Sequence, residues 1–308
     1  MGSPGFWENR AEADGHIKTL GKLRDVVRRY RDIERALGEL DASWNEELFF
    51  AARRKFRELE LEQLFTGSYD RQFAAVSVYP GVGGEDAEDW ARMLFEMYEG
   101  YAKRRGWVSK VVDDNPRARV LEVRGEYAYG YLKKESGVHR LVRISPFSAK
   151  HLRHTSFALV EVVPDLPAVE ESKIVIPEKD LKLDFFRSGG PGGQNVNKVE
   201  TAVRVTHLPT GLIAASQVER SQAQNRDRAV KLLKAKLIRL MEEHKVDELA
   251  ALRTRVKPEW GSQIRSYFLN PYQLVKDHRT EVQTAKTEEV LKGDIDQFIE
   301  AEVELAEI

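Results

Sequence analysis

Arg187-Ser188-Gly189-Gly190-Pro191-Gly192-Gly193-Gln194-Asn195-Val196-Asn197-Lys198 is the sharpest feature of this chain. Four glycines around a proline mark backbone that takes φ > 0 or approaches another molecule closely, since a Cβ would obstruct either. Strand-like runs flank the stretch, at 182–186 on one side and at 202–206 and 212–215 on the other, with a Leu208-Pro209-Thr210-Gly211 turn between the last two. The region reads as antiparallel β with a long loop. A phosphate cradle would need Gly-x-x-x-x-Gly-Lys-Ser/Thr, whereas Lys198 follows Val196-Asn197 and no Ser or Thr comes next. A dinucleotide fingerprint would need a parallel βαβ unit and an acidic residue about 20 positions on. Spacing alone leaves a flexible hairpin tip open beside a functional loop.

Downstream, a long helix is expected over about 222–252. Its first part is basic: Arg220, Arg226, Arg228, Lys231, Lys234, Lys236 and Arg239 face only Asp227 between residues 220 and 239. Such a run is usually a solvated helix face. The last segment, 281–308, reads as helical and acidic, with nine Asp or Glu against Lys286 and Lys292.

Upstream, Pro164-Asp165-Leu166-Pro167 and the acidic residues after it make a linker. Before it the pattern is again α+β, with strands at 73–79, 107–112, 119–123, 138–144 and 157–163. A helix over about 86–104 carries Trp90, Met93, Leu94, Met97, Tyr98 and Tyr101 on one face, after the loop Pro80-Gly81-Val82-Gly83-Gly84. Near the start, Ile17, Leu20, Leu23, Val26, Val27, Tyr30, Ile33, Leu37 and Leu40 recur every three or four positions and predict one long helix. Ser43-Trp44-Asn45-Glu46 has capping-box spacing, and Leu48, Phe49, Phe56, Leu59 and Leu64 continue as a second helix.

A chain of 308 residues with 42% hydrophobic content builds about two domains with real cores. Charged residues make up 32% at a formal net charge of −1, so attraction to nucleic acid must come from local patches. The absence of cysteine excludes disulfides, thiolate metal sites and a cysteine nucleophile. The seven histidines form no HExxH pattern, and His151 and His154 have no third ligand nearby, so no metal and no cofactor is expected. No apolar run approaches the roughly 20 residues of a membrane helix, and Met1-Gly2-Ser3-Pro4-Gly5 opens no signal-peptide core. A soluble cytoplasmic protein is the expectation.

Gly192-Gly193-Gln194 resembles the Gly-Gly-Gln tripeptide of translation termination factors, and Arg187-Ser188-Gly189-Gly190-Pro191 and Asn195-Val196-Asn197 match the flanks of that motif. Further matches run through Gly137-Val138-His139-Arg140-Leu141-Val142-Arg143, Arg153-His154-Thr155-Ser156-Phe157, Arg220-Ser221-Gln222 and Trp260-Gly261-Ser262-Gln263-Ile264-Arg265-Ser266-Tyr267. Ser145-Pro146-Phe147, by itself a plain turn, resembles the tripeptide that in bacterial class I peptide chain release factors of the release factor 2 type goes with UAA and UGA. The sister type carries Pro-x-Thr there and reads UAA and UAG.

The resemblance implies a multidomain α+β fold. A shortened N-terminal helical hairpin or bundle occupies 1–67 and a codon-recognition domain 68–171. The peptidyl-tRNA hydrolysis domain, 172–262, is inserted before a segment, 263–308, that completes the codon-recognition domain. Gly192, Gly193 and Gln194 would enter the peptidyl transferase centre. Glutamine has no titratable proton near neutral pH, so Gln194 would offer a backbone N–H and a water-positioning amide rather than a base. The same resemblance makes Gln194 a target of a glutamine methyltransferase giving N5-methylglutamine. Ser145, Pro146, Phe147, His154 and Thr155 would read the stop codon, His154 by stacking and Thr155 by a hydrogen bond to the third base.

Gly83 and Asp86 would check the first uridine. The family has one residue and then Glu after this loop, whereas here the order is Glu85-Asp86; Asp86 takes the Glu role by position, with the longer Glu85 as its alternative. Ser148-Ala149-Lys150-His151-Leu152 also departs from the family's Asp and glycine-rich sequence. Arg220, Arg226, Lys231 and Lys234 would lie against ribosomal RNA. The expected partners are the 70S ribosome, the mRNA stop codon and peptidyl-tRNA, for a factor acting as a monomer whose catalysis is shared with ribosomal RNA. A ribosome-rescue hydrolase shares the Gly-Gly-Gln domain but lacks the codon-reading domain and ends in a basic tail. A non-catalytic RNA-binding relative would have lost the tripeptide.

Overall fold

The computed structural model describes residues 10–165, 174–186, 201–219, 221–244 and 263–305. Gly192, Gly193, Gln194 and Arg220, the linker at 166–173, and the predicted continuation of the basic helix over 245–252 lie outside the described residues. Two compact units divide the chain, residues 1–66 and 67–308.

The first unit is a helical hairpin of α1 (Arg10–Ala42) and α2 (Glu46–Leu64). Ile33 and Leu40 of α1 are buried, as are Ala52, Leu59 and Leu61 of α2. Leu23, Val27, Tyr30 and Leu37, expected on the same face, are exposed, because a pair of helices covers only one stripe of each. The predicted capping box does not start α2. Asn45 is the N-cap, its side-chain oxygen accepting from Leu48 N at 3.0 Å, while Ser43 N donates to Glu39 O at the end of α1.

The second unit is built on an eight-stranded sheet of order β11-β10-β9-β4-β5-β1-β3-β2. Its strands are β1 (Phe73–Pro80), β2 (Val108–Asn115), β3 (Ala118–Arg124), β4 (Gly137–Ile144), β5 (Arg153–Asp165), β9 (Gln263–Phe268), β10 (Leu274–Asp277) and β11 (Gln283–Thr284). Neighbours joined by short turns pair antiparallel, while β4 and β9 pair parallel. A parallel pair needs a long crossover, and here everything between β5 and β9 supplies it. The helix α3 (Glu85–Arg104) buries Trp90, Leu94, Met97, Tyr98 and Tyr101 against the sheet, and the short α4 (Ala128–Leu132) follows β3.

β6 (Leu181–Phe186), β7 (Ala202–His207) and β8 (Ile213–Ser216) form a second, antiparallel sheet under α5 (Gln222–His244). Ala229, Leu233, Leu237 and Leu240 of α5 pack on Val203, Val205 and Ala214. Its Ala235 and Ile238 meet Val163 of β5, so the helix lies between the two sheets.

The acidic end is not one helix. It holds β11 and two helices, α6 (Thr287–Leu291) and α7 (Asp296–Leu305). Gly293, at φ 98°, separates the helices and touches α3 so closely that a Cβ would lie 2.3 Å from Tyr101 N. Only glycine satisfies both conditions.

A buried ionic network fastens this C-terminal segment to the sheet. The Arg265 guanidinium donates to both oxygens of Glu135, at 2.6 and 2.8 Å, and to Asp277 at 3.1 Å. Tyr98 donates to Glu135 at 3.0 Å, and Arg279 to Asp277 at 2.8 Å. Burial alone would raise the Asp277 carboxyl, but Arg279 and Arg265 outweigh it and hold it at about 2.

His139 lies beside this network. Its Nε2 faces Glu135 O at 3.1 Å and its Nδ1 faces the Tyr267 hydroxyl at 3.3 Å. A carbonyl only accepts, so Nε2 carries the proton and Nδ1 accepts from Tyr267. Burial, opposed by Glu135, pushes this imidazole down to about 4. An unfolded histidine titrates near ~6.5, so as pH falls the unfolded chain takes up this proton first. The group's contribution is complete above ~6.5 and is lost as pH falls toward 4, about 3 kcal/mol in all. Urea unfolding at pH 7, 6 and 5 should show stability falling more steeply in the wild type than in His139→Gln; equal slopes would contradict the burial of a neutral imidazole.

Candidate functional site

The loop joining β4 to β5 is two turns stacked on the end of the ladder. Ser145 N donates to Leu152 O at 3.1 Å, continuing the pairing Arg143↔His154 and Ile144↔Arg153. Ser145 is itself buried, and its Oγ accepts from Phe147 N at 3.2 Å, which leaves Pro146 and Phe147 standing out into solvent. In the segment that departs from the family pattern, Ser148 N bonds to Ser145 O, and His151, at φ 49°, bonds to Ser148 O at 2.9 Å. From β9–β10 the Asn270 side chain accepts from Ile144 N at 3.1 Å, tying the C-terminal segment to the base of the loop.

His154 and Thr155 are both exposed at the start of β5. Strand periodicity places His154 with Ser156 on the face covered by α3 and Thr155 on the other. The loop at 81–84 lies alongside: Gly81 N donates to Phe157 O at 2.8 Å and Phe157 N to Val82 O at 3.1 Å. Gly83, at φ 142°, passes so close to β5 that a Cβ would sit 2.8 Å from Ser156 Oγ. Sequence-predicted Gly83, Ser145, Pro146, Phe147, His154 and Thr155 therefore gather at one end of the large sheet.

Asp86 belongs to the same cluster but faces inward. It is 3% exposed, with one carboxylate oxygen bonded to Arg143 Nη2 at 2.6 Å and Nε at 3.1 Å, and the other to Ser156 Oγ at 3.0 Å. The acid at the solvent surface is Glu85. Arg143 and Ser156 are the residues whose part the sequence did not disclose; both lie inside quoted motifs, but only strand pairing reveals what they touch.

The basic helix reads differently in three dimensions. Arg228 pairs with Glu122 at 2.7 Å, Lys231 with Asp165 at 2.8 Å and the buried Lys236 with Glu161 at 2.7 Å. Burial alone would lower the Lys236 ammonium, yet Glu161 and Tyr79 hold it above its ordinary value. The partners missing from the local sequence come from the large sheet. Arg226 stays exposed and Lys234 half-buried. A cleft of about 540 Å³ lies beside these pairs, lined by Asp113, Glu122, Asp165, Arg228 and Lys231; it contains none of the residues at the loop cluster. Among the described residues no helix is long and apolar enough to cross a membrane.

Two family models cover nearly the whole chain, the PCRF domain over residues 1–160 and the RF-1 domain over 170–279. The chain is 48% identical to peptide chain release factor 2 of Thermomicrobium roseum over 97% of its own length and 84% of the relative's. Identity to peptide chain release factor 2 of Staphylococcus aureus strain MRSA252 is 41%, covering 98% and 87%. Among solved structures, RF2 of Thermus thermophilus superposes with TM-score 0.69 at 40% identity, covering 99% of this chain and 91% of that one. These matches, together with a multidomain α+β fold and a Gly-Gly-Gln tripeptide in the sequence between β6 and β7, define a translation termination factor. The chain belongs to the class I peptide chain release factors, of the release factor 2 type. Its function is translation termination with stop-codon recognition.

Proposed function

We propose that this chain reads UAA and UGA in the ribosomal A site through the cluster at the β4–β5 end, and that Gly192-Gly193-Gln194 promotes hydrolysis of the peptidyl-tRNA ester. What supports the first half is the convergence of Gly83, Phe147, His154 and Thr155 from three separate segments onto one sheet end. Unstacked RNA bases are read on their edges and stacked on rings, and this end offers exposed rings at Phe147 and His154 beside a hydroxyl at Thr155. Ser145 is buried, with its Oγ accepting from the Phe147 backbone, so its contact with the second base requires the 145–148 turn to open. Its hydroxyl retains the proton and acceptor capacity that tolerate A or G.

Catalysis rests on the ribosome as well as on this chain, since Gln194 supplies no base and the reacting ester belongs to the tRNA. The monomeric state, cytoplasmic location and N5-methylation of Gln194 by a methyltransferase belong to the same proposal. So does RNA contact by Arg220, Arg226, Lys231 and Lys234, where phosphates would compete with Asp165 for Lys231. The test is release of formyl-methionine from ribosome complexes programmed with UAA, UGA, UAG or a sense codon. Release on UAA and UGA alone is the expected result. Equal release on all four would make Ser145-Pro146-Phe147 a plain turn and the chain a codon-independent hydrolase.

A further inference from the structure

We infer that Arg143 and Ser156 are positioning residues for stop-codon reading, holding the Asp86 carboxylate as the knot that fixes the three codon-reading segments to one another. The inference rests on the function proposed above. Asp86 stands at the start of α3, immediately after the loop at 81–84. Arg143 lies two residues before Ser145 on β4, and Ser156 follows His154 and Thr155 on β5. Arg143 and Ser156 are 57 and 70 positions from Asp86 in sequence, yet the three side chains meet in one buried cluster.

The geometry is a fork rather than a single bond. Arg143 Nη2 donates at 2.6 Å to both Asp86 and Asp89, so the guanidinium grips the first turn of α3 at two carboxylates. Ser156 Oγ donates to the remaining Asp86 oxygen, and the same Oγ is the atom that a Cβ on Gly83 would strike at 2.8 Å. The loop at 81–84 therefore takes its distance from β5 through Ser156 and Asp86 together. With both oxygens engaged inside the protein, Asp86 sets the place of the neighbouring loop and leaves the surface to Gly83, Gly84 and Glu85. A fixed spacing between Gly83 and His154–Thr155 is a specificity device, because successive bases are discriminated only if the groups that read them hold one register.

The inference is tested with the full-length factor on ribosome complexes carrying UAA, UGA or the near-cognate sense codon UGG, measuring half-saturating concentration and maximal release rate, with a thermal melt of each variant. Ser156→Ala removes one clamp bond and no volume beyond an oxygen. It should raise the half-saturating concentration on UAA and UGA roughly tenfold, lower the preference for UGA over UGG, leave the maximal rate near wild type, and lower the melting temperature by only a few degrees. Arg143→Lys keeps the charge but loses the fork, and should shift the same quantities less than Arg143→Gln does. A variant whose maximal rate or melting temperature falls while codon preference stays constant would assign these residues to structure alone and overturn the inference. Wild-type release that ignores the codon would instead overturn the underlying reading. Wild-type discrimination that Ser156→Ala and Arg143→Lys leave unchanged would overturn only this inference.

Discussion

Gly193→Ala is expected to lower the maximal rate of peptide release by roughly 10²–10³-fold, the usual cost of losing one preorganised donor to a developing oxyanion. Two arguments converge on that magnitude. Gln194 cannot act as a base near neutral pH, so the contribution proposed for it is geometric: it would offer a backbone N–H and an amide where charge develops. The glycines before it admit backbone conformations that a Cβ resists by about 1–2 kcal/mol per residue, enough to displace the donor from the reacting atom. Because the cluster proposed to read the codon lies at the end of the large sheet, binding to stop-codon complexes should remain within about twofold. The measurement is single-turnover release at saturating factor, with affinity determined separately by competition with wild type. Release at the wild-type rate would remove the loop from the catalytic role.

Arg265→Leu carries the largest expected effect on stability. Arg265 is fully buried and is the cation that Glu135 and Asp277 share. Removing one partner of a buried ionic cluster leaves uncompensated charge and typically costs about 3–5 kcal/mol. For a unit of this size that corresponds to a fall in melting temperature of roughly 10 °C. The low carboxyl of Asp277 and the lowered carboxyl of Glu135, where Arg265 outweighs the effect of burial, both express the same dependence. The C-terminal segment should loosen from β4 before the rest of the sheet, visible as faster amide exchange in 263–284. By contrast, neutralising Lys292, exposed and 3.7 Å from an equally exposed Glu288, should stay within about ±0.5 kcal/mol. Equal melting temperatures for Arg265→Leu and the wild type would show that the network contributes nothing net.

The helices and most strands were legible because their signals are local. An apolar residue every three or four positions predicts α1 and α3, and alternation with flanking turns predicts β1, β4 and β7, to within a few residues of where they lie. Errors arose where two local signals compete. Ser43 has the right spacing for a capping box, but Asn45 takes the cap. The acidic end reads as one helix, but Gly293 breaks it where α3 comes too close for a side chain. β5 runs four residues further back than its apolar run, since His154 and Thr155 pair with β4 through backbone groups that no side-chain pattern records.

The sequence by itself determined the family and the α+β class, and it nominated the glycine-rich stretch with Gln194 and the residues Gly83, Phe147, His154 and Thr155 as site candidates, since these are written in contiguous motifs. Tertiary structure alone decided that Asp86 turns inward to Arg143 and Ser156, and that Arg228, Lys231 and Lys236 are matched by Glu122, Asp165 and Glu161. The physical reason is range. A helical or strand pattern depends on neighbours two to four residues away, whereas a buried charge depends on whichever carboxylate the sheet order brings beside it. Arg228 and Glu122 are 106 positions apart, and only the folded strand order makes them partners.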